Sequence, residues 1–266
     1  MKLCRTISVA SLFLLCSLVA ARNTSANEQD MRKQSGSQSQ ELAKADQLNA
    51  EVLKLYREGK YVEAFPLATQ VLEIREKALG PDHLLVGVAL QNLAELFIAR
   101  KKQREAIEAY RRSLAIQEKS SGVNDPQFTT LLERYLCVLA ASDRKDEMNR
   151  VRERLFRLEN NLSEDESGDS SSKGSKADKP TPGKAVSLPV PSYLPQAKEQ
   201  RVSGSVVMKV RLDETGKVIE LKALCGNPLL IEGTEPAAWK ARFVPLVVAG
   251  QPLKSTNFVV YRFVRD

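Results

Sequence analysis

Residues 63–83, EAFPLATQVLEIREKALGPDH, run directly into residues 84–119, LLVGVALQNLAELFIARKKQREAIEAYRRSLAIQEK. Within and around this stretch the chain repeats itself. Leu55, Phe97 and Leu139 follow one another at a step of 42 residues. The same step carries Glu63-Ala64 onto Glu105-Ala106 and Glu147-Met148, and Leu72 onto Leu114 and Phe156. It also carries Ile74 onto Ile116, Glu76-Lys77 onto Glu118-Lys119, and Gly80 onto Gly122. Coincidence does not return this many pairs at one offset. Leu85, Val88, Ala89, Leu93, Leu96 and Phe97 form an apolar stripe at helical spacing, and Ala106, Tyr110, Leu114 and Ile116 line the returning helix. Each repeat is therefore two helices with an inner turn (Lys101-Lys102-Gln103 in the second unit), closed by glycine in a helix-stop role. A helical repeat cannot bury its apolar face alone; it stacks on its neighbours and leaves an open surface suited to binding. The function is to be sought in binding.

The pattern resembles tetratricopeptide repeats (TPRs) of the longer, kinesin-light-chain-like kind, over roughly residues 45–159. The third unit is degraded: Glu147-Met148 replaces Glu-Ala, and its last helix is charged (Arg150, Arg152, Glu153, Arg154), which suits a capping role. The resemblance implies a ligand-facing asparagine on the first helix of each repeat. Asn92 matches that position; its equivalents are Ala50 and Arg134, so the ladder is incomplete. Asn92, Glu95 and Arg134 are the candidate groove residues, with Arg134 favouring an acidic segment. The alternative is a solvated polar helix face, and both readings stand at this point.

After residue 186 the period becomes strand-like. Val206, Met208, Val210 and Leu212 alternate with Val207, Lys209 and Arg211; Asp213-Glu214-Thr215-Gly216 is a turn, and residues 218–224 return as the partner strand. Residues 229–241 read as a helix and 258–264 as a final strand, giving a β-β-α-β unit. The segments PSYLPQA, GSVVMKVRLDETGKVIELKALCGNPLL, KARFVP and GQPLKSTNFVVYRF resemble the TonB C-terminal domain over about residues 191–263. That resemblance implies a periplasmic domain that takes up an extended peptide as an added strand. Its natural edge is the final strand, so Phe258, Val259, Val260 and Tyr261 are candidate partner-binding residues, against a purely core role for their side chains. Gly233 and Pro236 fall where the family has good helix formers. The reading expects a shortened helix with Thr234 at the N-cap, Pro236 in the first turn and Trp239 packed on the sheet.

Lys2 and Arg5 followed by an uncharged, mostly apolar stretch from Ile7 to Ala20, with small residues at 19–21 and 24–26, read as a secretory signal over residues 1–26. The rival is a short uncleaved anchor, disfavoured because a spanning helix wants roughly 20 apolar residues. Residues 27–40 read as a disordered polar leader, 41–160 as the TPR domain of about three repeats, and 161–185, rich in Ser, Gly and Pro, as a flexible linker. Residues 186–266 are the TonB-like domain. The fold expected is thus multidomain, an α-α TPR solenoid joined to a small α+β module. The net charge is +7, but Lys2, Arg5 and Arg22 contribute three of those charges, and no basic block signals nucleic acid. One histidine, His83, cannot build a metal cluster, and no nucleophile sits with a base, so no enzyme, metal or cofactor is expected. Cys4 and Cys16 lie in the signal; Cys137 and Cys225 are read as buried or half-buried thiols rather than a bridge, because free cysteine behaves as a small hydrophobe.

The function expected is an exported, non-enzymatic adaptor of the bacterial envelope. One protein would occupy the TPR groove and a peptide strand the TonB-like domain. The alternative is a TonB-type transducer anchored in the inner membrane and contacting an outer-membrane receptor. It is weakened because a transducer's N-terminal histidine is absent and a repeat domain replaces the long proline-rich spacer. A small sheet with free edges also admits a homodimer.

Overall fold

The computed structural model describes residues 35–123, 125–162 and 184–264. The stretch read as a signal, most of that read as a leader and nearly all of that read as a linker lie outside them. The described residues form two compact units, one ending at Ala89 and one beginning at Leu90.

In the first unit, helix α1 covers residues 35–57 and α2 spans Tyr61–Leu79. Residues 35–40, assigned from sequence to the polar leader, are therefore helical. Ala45, Val52 and Leu55 of α1 and Ala64, Ala68 and Val71 of α2 are buried. Arg75 is buried too; its guanidinium donates to Asp46 Oδ1 at 2.9 Å and to the Leu85 carbonyl at 3.1 Å. Helix α3, Leu84–Ala99, begins in this unit and continues into the next.

The second unit continues with α4 (Gln103–Ser121), α5 (Pro126–Ala140) and α6 (Lys145–Glu159). The 42-residue step is visible in the backbone. Lys60, Lys102 and Arg144 precede α2, α4 and α6 with near-identical dihedrals (φ −83, −94 and −82°; ψ 58, 70 and 61°). The Lys60 N–H donates to the Leu55 carbonyl at 2.9 Å and the Lys102 N–H to the Phe97 carbonyl at 2.8 Å. Gly80 and Gly122 each adopt positive φ, 86° and 76°, and donate to the carbonyls of Glu76 and Glu118. That conformation strains any residue with a Cβ, which is why glycine recurs at the step. The third turn departs from the pattern: Ser142 donates its N–H and Oγ–H to the Leu139 carbonyl at 2.9 and 2.8 Å.

The strands follow: β1 (Ala185–Ser187), the short helix α7 (Pro195–Glu199), β2 (Gly204–Leu212), β3 (Val218–Cys225), α8 (Pro228–Lys240), β4 (Arg242–Phe243), β5 (Leu246–Val248), β6 (Gln251–Leu253) and β7 (Ser255–Phe263). The main sheet is antiparallel with order β3-β2-β7; β1 pairs with β4, and β5 with β6. The expected β-β-α-β core is thus β2-β3-α8-β7. One face of the sheet, carrying Val206, Met208, Val210, Leu212, Val259 and Tyr261, packs with Leu230 and Ala238 of α8. The other face is covered as well. Val207 and Phe258 are buried, and α5 and α6 pack against β2, β3 and β7. Here the structure differs from two modules separated at a linker: the sheet and the last repeat form part of one compact unit.

Helix α8 corrects the sequence reading. Its N-cap is Asn227, whose Oδ1 accepts from the Leu229 N–H at 3.0 Å, with Pro228 at the first helical position. Thr234 is buried mid-helix, donating Oγ1–H to the Leu230 carbonyl at 2.6 Å. Trp239 is 45% exposed, because the inward stripe of this full-length helix runs through Leu230, Thr234, Ala237 and Ala238. Gly233 has its own cause: the Ser192 N–H bonds the Gly233 carbonyl at 3.0 Å, and a Cβ at 233 would lie 2.1 Å from the Ser192 oxygen.

Candidate functional site

Helices α3 and α5 and the C-terminal end of β3 enclose a cavity of about 650 Å³. Glu95 and Ile98 line it from α3, Glu133 and Arg134 from α5, and residues 222–226 from the strand side. Of the expected groove residues, the structure brings Glu95 and Arg134 together. Arg134 Nη1 donates to Glu95 Oε1 at 3.0 Å, and the Tyr110 hydroxyl donates to the same oxygen at 2.6 Å. Arg134 keeps 55% of its side chain exposed, so its remaining donors face solvent. Asn92 lies half-buried one turn before Glu95 and is not a wall of the cavity.

The floor of this region is tied down by groups the sequence reading left unused. Cys137 of α5 and Cys225 of β3 form a disulfide. This overturns the expectation of two thiols: α5 docks on the sheet, so the two apolar positions face each other. The clue available in the sequence was that only these two cysteines lie beyond the stretch read as a signal. Lys209 of β2 reaches Glu133 at 2.9 Å and Glu159 at 2.6 Å. Burial works against its charge, but the hydrogen bonds to Glu159 and Glu133 prevail and its pKa is raised. Ser205 Oγ and the Arg262 guanidinium both donate to the Ala140 carbonyl, where α5 ends, at 2.6 and 3.2 Å.

The four candidate residues on β7 divide between the two faces. Val259 and Tyr261 belong to the α8 core, whereas Phe258 is buried on the face toward α5 and α6 and Val260 is half-buried there. Burial pushes the Tyr261 hydroxyl up to about 12, and it has no hydrogen-bond partner among the described residues. Their side chains are core, so only the backbone edge could serve a partner. Part of that edge is occupied. The Asn160 side chain, just past α6, donates Nδ2–H to the Thr256 carbonyl at 2.9 Å and accepts the Thr256 N–H at 2.8 Å. The Phe258 N–H is taken by Asn257 Oδ1 at 3.0 Å. Val260 and Arg262, which share this backbone direction by strand alternation, complete the edge.

A charged cluster elsewhere is structural. Arg111 of α4 donates Nε and Nη2 to the two Glu147 oxygens at 2.7 and 2.6 Å, and the Tyr135 hydroxyl donates to Glu147 as well. These contacts tie α4, α5 and α6. The Arg111 fork holds the Glu147 carboxyl down at about 2 against an ordinary 4.5, while burial raises Tyr135. A folded-state pKa below the unfolded one adds stability that is complete above about pH 4.5 and is lost as pH falls toward 2. Glu147→Gln is therefore expected to lower stability at pH 7 and to flatten the decline between pH 4.5 and 2. Urea unfolding across that range checks it; an unchanged acid slope would defeat the assignment.

Among the described residues no three His, Cys, Asp or Glu side chains are placed to hold a metal ion, and no helix is long and apolar enough to cross a membrane.

Residues 41–119 match the tetratricopeptide repeat family. The chain thus carries TPRs in its N-terminal part, and TPRs serve protein–protein interaction. Among solved structures it is similar to BtubC (BKLC) from P. vanneervenii, at 18% identity and a TM-score of 0.42, covering 45% of this chain and 47% of that one. It is also similar to a Podosopora anserina protein described as having nearly identical kinesin light chain TPR-like repeats, at 20% identity and a TM-score of 0.41, covering 47% and 59%. The chain spans about half the length of these relatives. No curated protein matched the sequence.

Proposed function

We propose that this chain is an exported, non-enzymatic adaptor of the bacterial cell envelope that binds extended peptide segments of protein partners. The observation that carries the reading is the α3–α5 groove, built on TPR helices, with Arg134 held at its wall and still half open to solvent. Export is supported by the signal-like residues 1–26 together with the Cys137–Cys225 disulfide, since such bonds persist in oxidising compartments. The β2-β3-α8-β7 arrangement supports reading the C-terminal module as TonB-like, with sheet edges suited to strand addition.

The test has two readouts. Intact mass of the protein from soluble and membrane envelope fractions is expected to give a soluble species lacking residues 1–21 or 1–26, with the two cysteines oxidised. A membrane-bound species that retains Met1 or Lys2 would replace this reading with the anchored transducer. Panning the full chain against a displayed library of random linear peptides is expected to enrich binders; failure to enrich any would remove the adaptor reading.

A further inference from the structure

We infer that the outer edge of β3 and the α3–α5 wall form one composite groove whose occupant is an extended peptide bearing acidic side chains. This rests on the adaptor reading and makes it specific. The first observation is the edge itself. β3 is outermost in the sheet, and beyond the single bridge Lys217–Arg242 no described strand pairs with its outer side. Strand alternation says which groups are offered. Thr256 and Phe258 turn their backbone away from β2. Lys209, opposite Phe258, is thereby turned toward β3, Lys222 back toward β2, and Leu221 and Ala223 outward. Such outward N–H and C=O pairs are the template for an added strand.

The second observation is what this edge faces. Residues 222–226 form one wall of the cavity of about 650 Å³ whose other walls are TPR helices. A peptide paired with β3 there would lay its side chains against α3 and α5. The Cys137–Cys225 bond holds the two walls together, so the groove is formed before any ligand arrives.

The third is charge. The acids of this groove are already matched, Glu95 by Tyr110 and Arg134, and Glu133 by Lys209. The cations Lys101 and Lys222 have no ion pair among the described residues, and Arg134 keeps free donors. The unmatched charge is positive, and a carboxylate complements it. By contrast, the β7 edge is closed at Thr256 and Phe258 by Asn160 and Asn257.

The experiment uses a synthetic peptide enriched by the full chain from a displayed library of random linear peptides. Asp and Glu are expected to be over-represented among enriched sequences. Binding is expected to slow amide exchange at Leu221 and Ala223. Arg134→Glu and Lys222→Glu are each expected to weaken the peptide by on the order of tenfold or more; Lys222 is exposed, so its variant folds. Protection at Val260 and Arg262 with Leu221 and Ala223 unchanged would overturn the inference and leave the adaptor reading standing. So would enrichment without acidic residues, or affinity indifferent to both variants. Concentration-dependent protection of β3 in the absence of peptide would assign the groove to a second copy, also overturning it. Enrichment of no peptide would overturn both.

Discussion

The chain with Cys137→Ala and Cys225→Ala unfolds at markedly lower urea concentration than the oxidised protein. The bond joins residues 88 positions apart. In the chain-entropy account a loop of that length restrains the unfolded state by roughly 4–5 kcal/mol, and measured losses for native disulfides run about 2–5 kcal/mol. For a unit of this size the melting temperature falls by on the order of 10 °C. Reduction of the unaltered protein produces the same shift. The loss is concentrated where α5 meets the sheet, so amide exchange accelerates in β3 before it does in α4. Mapped thiol titration without reductant gives the decisive control: free thiols at both Cys137 and Cys225 in the native protein would remove the bond, and a melting curve indifferent to reductant would remove its energetic role.

Gly233→Ala is the second large effect, and its sign is the informative part. In an ordinary helix interior this exchange stabilises by roughly 0.5–1 kcal/mol, because glycine loses more backbone freedom on folding. In α8 the added methyl would sit 2.1 Å from the Ser192 oxygen, inside any real contact distance. The neighbour is backbone, so no flexible side chain can move aside. The segment leading into α7 must shift, stretching the Ser192 N–H bond to the Gly233 carbonyl, and the expected cost is roughly 2–4 kcal/mol. Thermal unfolding of the variant measures it. A variant as stable as the parent would mean that Ser192 does not lie against α8.

The repeat was legible because it is local. One spacing fixes helix, turn and glycine stop, and Lys60, Lys102 and Arg144 then take near-identical dihedrals, although the third turn closes through different hydrogen bonds. The β-β-α-β order was legible for the same reason, as period and turn chemistry act over a few residues. The second face of the sheet was not. Val207 stands among polar alternates Lys209 and Arg211, and Phe258 among the candidate edge residues; both are buried because α5 and α6, far away in sequence, cover them. The cysteine pair failed for a related reason: apolar surroundings predict burial equally well for a thiol and for a bridge, and only docking distinguishes them. In α8 the presence of Pro236 suggested a late start with Thr234 as N-cap, but Asn227 and Pro228 supply a complete helix start seven residues earlier. The repeat register marks Asn92 and Arg134, whereas no local pattern marks Lys209 and Lys222, since their environment is made by long-range packing.

Asn160 carries a consequence of another kind. Its carboxamide presents one donor and one acceptor to Thr256, as a peptide group on a neighbouring strand would. The side chain thus acts as a strand one residue long, capping that edge of the sheet at Thr256. A three-stranded sheet with two bare rims could grow rim to rim through successive copies into a fibre. A single amide at the start of β7 interrupts that growth while leaving the opposite rim open, so the molecule has a polarity: one side built to stop, the other able to receive.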